Sequence, residues 1–226
     1  MNIVEPAVRL LAHTAIVPDA IEQRMEIQEG STDAETLTVY AGRSCYESWS
    51  RPNEKTREDK DYLRRTLFEQ GHFSILEHAS ATFYITGVSR ALTHELVRHR
   101  HLSYSQLSQR FVDESDANIV IPPAARGSEK LMWEFEDAAA GARHSYQELV
   151  EALLDSGLAR KQAREAARAV LPNMVETRIV VTGNMRAWHE VIERRTAPDA
   201  DAEFQEVAGM IREQLQQIAP EVFPAP

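Results

Sequence analysis

The sequence predicts a mixed α+β fold, rich in helix and built as one domain over residues 1–226. Three observations predict it. Long segments with apolar residues at helical spacing alternate with short β-branched runs at 8–16, 79–88 and 175–182. At 226 residues the chain can bury a sizeable core. No repeat, low-complexity tract or interdomain linker divides it.

The elements follow in order. Val8 to Ile16 reads as a first strand, and Asp33 to Glu47 as a helix presenting Leu37, Tyr40, Ala41 and Ser44 on one face. Ser50 to Lys55, with Pro52 and Asn53, reads as a loop. Thr56 to Gln70 returns to helical spacing with Tyr62, Leu63 and Leu67 for burial, and Gly71 suits a C-terminal stop. Ala79 to Val88, carrying Phe83, Ile85 and Val88, reads as a strand, after which Ser89 can cap a helix running toward Arg100. The stretch beyond reads as a serine- and glutamine-rich loop. Asn118 to Ile121 is a brief apolar run stopped by Pro122 and Pro123. Glu129 to Leu154 reads as one long helix or two, with Leu131, Phe135, Ala138, Leu149 and Leu153 available for burial. Gly157 breaks it, and Leu158 to Val170 makes another helix. Val175 to Thr182 is β-branched, Gly183 turns the chain into a helix through Arg195, Pro198 interrupts, and Ala200 to Ile218 is the last helix.

Acidic residues number 35 against 25 basic ones, a formal charge of -10. Yet residues 98 to 110, RHRHLSYSQLSQR, gather Arg98, His99, Arg100, His101 and Arg110 without a single carboxylate. A protein gripping a long polyphosphate chain carries a net basic face, because counterion release supplies much of that affinity. A small anion needs only local donors. Arginine offers a planar fork to phosphate oxygens, and serine and glutamine add donors without further charge. Neither GxxxxGK[ST] nor a GxGxxG after a strand is present, so a P-loop and a Rossmann fingerprint are excluded.

Metal chemistry is not expected. His94-Glu95 and His99 are spaced by five rather than the four that stacks two imidazoles on one helical face, and His72 and His78 are six apart. Cys45 in GRSCYE has no local histidine and can form no intrachain disulfide. The first thirty residues lack a basic start followed by an apolar run, and no apolar stretch nears the roughly 20 residues of a membrane span, so a soluble, cytoplasmic protein is expected, with neither membrane nor nucleic acid as partner.

Two further basic groups lie downstream. In ARKQAREAARAVLP, Lys161, Arg164 and Arg168 share one helical face; Lys161 and Arg164 are expected to be solvated, and Arg168, just before the turn to Pro172, to point into a cleft. In GNMRAWHEVIERR, Asn184 and Arg186 open a helix and Arg194 and Arg195 close it, where a helix C-terminus favours a cation.

These segments together resemble the flavin-dependent thymidylate synthases, the ThyX family. Arg98-His99-Arg100, seven residues and then Ser108 match its RHR signature; GHFSILEH resembles its GHxxxxEH segment, ARAVLP its arginine before a proline turn, and GNMRAWHEVIERR its Asn-x-Arg helix. The landmarks occur in family order between residues 40 and 203. The resemblance implies a central, mostly antiparallel sheet and a homotetramer with active sites between subunits. It also implies reductive methylation of dUMP to dTMP, with 5,10-methylenetetrahydrofolate as carbon donor and FAD, reduced by NADPH, as hydride source.

Residue by residue, the resemblance aligns Arg98, His99, Arg100 and His101 with the flavin-binding segment, and Ser74, Asn184, Met185, Arg186 and Glu190 with further FAD contacts. Gln106 matches a position touching flavin and nucleotide. Glu95, Leu96, Val97, Arg98, Leu107, Ser108, Gln109, Arg110, Arg168 and Arg195 align with the dUMP site, and Tyr46 and His72 with positions beside the stacked rings. Two positions depart from relatives. Glu95 stands where some members have glutamine, so a cation is expected to pair with it, and Glu190 stands where relatives have histidine or asparagine.

The chemistry narrows the catalytic group. Uracil C5 must become nucleophilic, through a thiolate adding at C6 or through polarisation of the ring. Cys45 lies outside the signature, and Ser108 has only Leu107 and Gln109 beside it, neither of them a base. Ser108 is therefore expected to bind rather than attack, and Arg195 to stabilise charge on the pyrimidine. A nucleic-acid-binding module at 98–110 would instead show steeply salt-dependent binding and a colourless protein. A nucleotide sensor without flavin chemistry would share the pockets, with Glu190 the only feature in its favour.

Overall fold

A computed structural model describes residues 2–225 of the chain. Four antiparallel strands, β1 (Ala7–His13), β2 (Ser80–Ser89), β3 (Leu102–Gln106) and β4 (Glu176–Asn184), lie side by side in the order β1-β2-β4-β3. The β-branched and aromatic residues alternate as a half-covered sheet requires: Ala81, Phe83 and Ile85 of β2 and Ile179 and Val181 of β4 are buried on one face. On the other, the hydroxyls of Thr82 and Thr182 meet at 2.9 Å. Eight α-helices complete a single α+β domain: α1 (Pro18–Glu22), α2 (Asp33–Ser44), α3 (Asp59–Leu63), α4 (Arg90–Leu96), α5 (Glu129–Asp155), α6 (Arg160–Ala167), α7 (Met185–Arg195) and α8 (Ala202–Ile218). The core joins the buried sheet face to Leu63 and Leu67, Leu92 and Leu96, Trp188 and Val191, and Phe204, Val207 and Ile211. No helix among the described residues is long and apolar enough to cross a membrane.

Local chemistry sets the helix starts. Thr32 and Glu35 form a reciprocal capping box on α2, while Ser89, Asn184 and Asp201 each accept an amide at the start of α4, α7 and α8. Buried Glu203 accepts both the amide and the hydroxyl of Ser89, at 2.7 and 2.6 Å, so α8 fastens the junction of β2 and α4.

Several expectations are corrected. β1 ends at His13 rather than Ile16, and a short helix, α1, follows it. On α2 the fully buried positions include Ala34, Thr38, Val39 and Gly42, the last against Tyr62 of α3; of the predicted face, Leu37 and Tyr40 are half-buried against the core and Ser44 is exposed. Residues 56–70 are not one helix. After α3 the backbone widens into a π turn over Arg64–Glu69, with the Gln70 amide reaching the Arg65 carbonyl at 3.0 Å; Leu63 and Leu67 are still buried. α4 stops at Leu96. Residues 102–106, read as loop, are an edge strand paired with β4 from Leu102↔Gly183 to Gln106↔Ile179. Gly183 is therefore inside a strand rather than at a turn. α5 is one unbroken helix of 27 residues; of its expected core positions Leu131, Ala138 and Leu149 are exposed and Phe135 and Leu153 half-buried, while the fully buried residues are Ala139 and Tyr146.

Gly183 pairs with Leu102 of β3, and a Cβ there would collide with Leu102 Cδ2 and lie 3.3 Å from the Trp188 indole nitrogen. Overpacking of this kind costs about 1–3 kcal/mol. Gly183→Ala is expected to lower the free energy of unfolding by that amount, read as a lower urea midpoint with an unchanged m-value; an undisturbed midpoint would show that Leu102 moves aside freely.

Candidate functional site

The site is built where α4 ends. From Val97 the chain turns tightly, Arg98 N–H donating to Glu95, His99 to Leu96 and Leu102 to His99, before entering β3. The Tyr104 hydroxyl lies 2.7 Å from the carbonyls of both Leu96 and His99 and donates to one at a time; burial pushes its pKa up to about 12, so it stays a donor. This turn presents Arg98, Arg100 and His101 outward and His99 inward.

Opposite the turn runs α7, ending in Arg194 and Arg195. Arg195 is held from three sides. Its Nε–H donates to His99 Nε2 at 3.0 Å, its terminal nitrogens donate to Glu95 Oε2 at 3.1 Å and to the Glu95 carbonyl at 3.4 Å, and its guanidinium carbon lies 4.8 Å from the centre of the Phe204 ring. The cation expected beside Glu95 is therefore Arg195. Burial, and then the positive charge of Arg195, hold the pKa of His99 below its usual value.

The turn and α7 enclose a continuous cleft. One end is lined by Glu95, Val97, Arg98, Arg100 and Arg195, the middle by His101, Leu102, Ala187 and Glu190, and the far end by Glu77, Asn184 and Arg186. Arg186 pairs with Glu77, and Glu190 with Arg194 at 3.1 Å. Among the described residues, Arg98 and Arg100 have no carboxylate within ion-pairing distance.

Not every aligned residue opens into the cleft. The side chains of Leu96 and Met185 are fully buried, so only their backbones remain for a ligand, and the Met185 amide already donates to Ala79. The Gln106 amide donates to the hydroxyls of Thr93 and Thr177 at 3.0 and 3.2 Å, bracing β3 against α4 and β4. Asn184 Oδ1 is occupied by the amide of Ala187, which leaves its NH2 group.

A second basic group forms elsewhere on the chain. Residues 107–112 make a turn in which the Ser108 carbonyl accepts from Phe111 and Val112, and α6 packs beside it through Arg110–Glu165 at 3.2 Å. Arg164 donates to the Phe111 carbonyl at 2.7 Å and to Asp113 at 2.6 Å, so it is a half-buried strut rather than the solvated residue expected. Lys161 is exposed, with its ammonium 5.1 Å from the centre of the Phe111 ring. Arg168 is half-buried and, among the described residues, has no carboxylate partner.

Sequence reasoning missed Arg90 in this group. Its Nη1 is buried without a hydrogen-bond partner, as is Nε2 of the buried Gln109. Burial lowers the Arg90 pKa, Glu114 opposes the shift and Arg168 adds to it, which puts the two arginines within electrostatic reach of one another. A signal was present: a cation directly after the Ser89 cap sits at a helix N-terminus, where the backbone dipole disfavours it.

Of the four arginines Arg98, Arg110, Arg168 and Arg195, two are not among the residues that line the cleft. Arg98 and Arg195 share the cleft, whereas Arg110 and Arg168 stand with the 107–112 turn and α6. Tyr46 and His72 line a third recess with Arg43, Tyr62, Arg65 and Gln70, and Ser74 is exposed on the single 3-10 turn Phe73–Glu77.

Comparison with known proteins decides the family. The family described as Thymidylate synthase complementing protein matches residues 26–221. The chain belongs to this family. It is 50% identical to a flavin-dependent thymidylate synthase of Mycobacteroides abscessus, an alignment that covers 98% of this chain and 90% of that protein. Proteins of the same description from Mycolicibacterium gilvum and Mycobacterium tuberculosis H37Rv are each 51% identical, over 86% and 85% of this chain and 82% and 81% of the respective relatives. The family resemblance carried by the RHR signature is thus the correct one.

Proposed function

We propose that the chain methylates dUMP to dTMP, with 5,10-methylenetetrahydrofolate as carbon donor and FAD, reduced by NADPH, as hydride source. The observation that carries this reading is Arg195, held half-buried at the mouth of a cleft beside Arg98 and Arg100, two guanidinium groups for which the described chain supplies no carboxylate.

The donor chemistry of the cleft suits FAD. Two unpaired arginines match the diphosphate, and His101, the Asn184 NH2 group, Arg186 and Glu190 offer the mixed donors and acceptors that a ribose or adenine takes. When bound there, FAD supplies the hydride. The uncommitted guanidinium of Arg90, with Ser108, Gln109, Arg110 and Arg168, suits a phosphate monoester such as that of dUMP. Tyr46 and His72 are assigned to the neighbourhood of the flavin and folate rings.

The phosphate-type cluster is not among the residues that line the cleft at Arg195, which supports a site completed by two copies in a homotetramer. Exposed apolar side chains on α5, Leu131 and Leu149 on one side and Trp133 on another, support such an assembly, because a partner can cover them. Arg195 then acts by donating hydrogen bonds to the uracil O2 carbonyl as negative charge develops on that edge of the ring, which enriches C5 in electrons.

Ser108 has no side-chain hydrogen bond to a base among the described residues, so its role is to bind. Ser108→Ala is expected to weaken dUMP binding several-fold, in keeping with about 1 kcal/mol for a neutral hydrogen bond, and to leave measurable product at saturating dUMP. Complete loss of turnover there would restore the nucleophile. The proposed function as a whole is tested by the visible spectrum of the purified protein and by NADPH oxidation stimulated by dUMP. A colourless protein without that stimulation sinks it.

A further inference from the structure

A guanidinium carries five N–H donors, and the chain engages three of those of Arg195: Nε–H by His99 Nε2, one terminal N–H by the Glu95 carboxylate and one by the Glu95 carbonyl. Two N–H groups remain. The geometry at Nε is the most selective of these contacts. An arginine does not give up its proton, so His99 Nε2 must be the acceptor, and the imidazole must be neutral with its hydrogen on Nδ1. His99 is 8% exposed, its ring meets Phe204 edge-on at 6.2 Å, and its carbonyl is a partner of the Tyr104 hydroxyl, so the ring is not free to swing away.

We propose that His99 is the positioning residue for Arg195: its neutral Nε2, with Glu95, fixes the plane of the guanidinium and leaves two N–H groups for the pyrimidine. The proposal rests on the reading of Arg195 as the ring-polarising group. It reassigns the central residue of the RHR segment, which borders the cleft but is largely buried, with its ring nitrogen turned to Arg195. A fixed donor acts on developing charge without reorganising, whereas a freely rotating arginine must be ordered at each turnover.

Acid should undo the arrangement. A second proton would convert Nε2 into a donor aimed at the Arg195 donor. The charged groups facing His99 are Arg195, Arg194 and Glu190 from α7 and Glu95 from α4, with Arg98, Arg100 and His101 flanking it in its own turn. Burial and Arg195 depress the His99 pKa below 6.5, so the acceptor is intact at neutral pH and is lost only as pH falls below that value.

The test compares wild type, His99→Phe, His99→Gln and Arg195→Ala, with flavin content, kcat and the KM for dUMP measured from about pH 5 to about pH 8. His99→Phe removes the acceptor and is expected to lower kcat about 10- to 100-fold, the range for a hydrogen bond to a charged group, with a much smaller change in KM. His99→Gln retains an acceptor that cannot titrate; its kcat should lie between those of wild type and the phenylalanine variant, and its kcat profile should lack the acid limb. The proposal is overturned if His99→Phe keeps wild-type kcat while Arg195→Ala collapses, or if the acid limb persists unchanged in His99→Gln. The glutamine profile decides the matter should the phenylalanine variant not fold. Wild-type turnover in both His99→Phe and Arg195→Ala would instead overturn the reading of Arg195 itself.

Discussion

Arg195→Ala is expected to lower kcat about 100- to 1000-fold at saturating dUMP, while the variant still purifies yellow. The magnitude is that of removing one preorganised donor from a site of developing negative charge. Flavin should stay because none of Arg98, Arg100, His101, Asn184 and Arg186, the groups assigned to it, is hydrogen-bonded to Arg195, whose partners are His99 and Glu95. The fold should persist as well. Glu95 loses its partner, but its side chain is 43% exposed and water can take over. Single-turnover oxidation of the prereduced flavin in the presence of dUMP and methylenetetrahydrofolate separates this loss from any effect on NADPH. Turnover near that of wild type would strike Arg195 from the catalytic residues.

Arg168→Ala is expected to raise the KM for dUMP about 10- to 100-fold and to leave kcat nearly intact, since a charged hydrogen bond to phosphate is worth about 1.5–3 kcal/mol and serves substrate and transition state alike. The same variant tests the shared site. Arg168 and Arg195 occupy different clusters of one chain. If copies complete one another, co-expressing Arg168→Ala with Arg195→Ala produces mixed assemblies in which some sites draw both intact arginines from different chains. Activity at low dUMP should then exceed that of either variant alone. Mixed assemblies no more active than the sum of their parents would mean that the two arginines do not serve one site across an interface.

Much of this site was visible before any coordinates. A run of thirteen residues with three arginines and no carboxylate, in a chain of net charge -10, is a local departure from composition, and composition is read directly. The ordered motifs containing Ser74, Arg98, Arg168 and Arg195 were likewise legible because each is contiguous. β3 was not. LSYSQ alternates polar and larger residues in only five positions, too few for its period to stand out, and it is a strand because β4 supplies the ladder. Arg90 was passed over as an ordinary helix residue because its lack of a partner is a property of the packed structure.

By itself the sequence determined which chemical groups were present and roughly where helices and strands would form, since residue type and hydrophobic period act over a few neighbouring positions. It also determined the family, through motifs whose internal spacing survives without a fold. Only the tertiary structure decided how those groups are used. His99 and Arg195 are 96 residues apart, and Glu95 and Arg195 are 100 apart, yet they share hydrogen bonds in one half-buried cluster. Such contacts arise from the docking of α7 against the end of α4, and a hydrogen bond between distant residues leaves no local periodicity by which it could be foreseen.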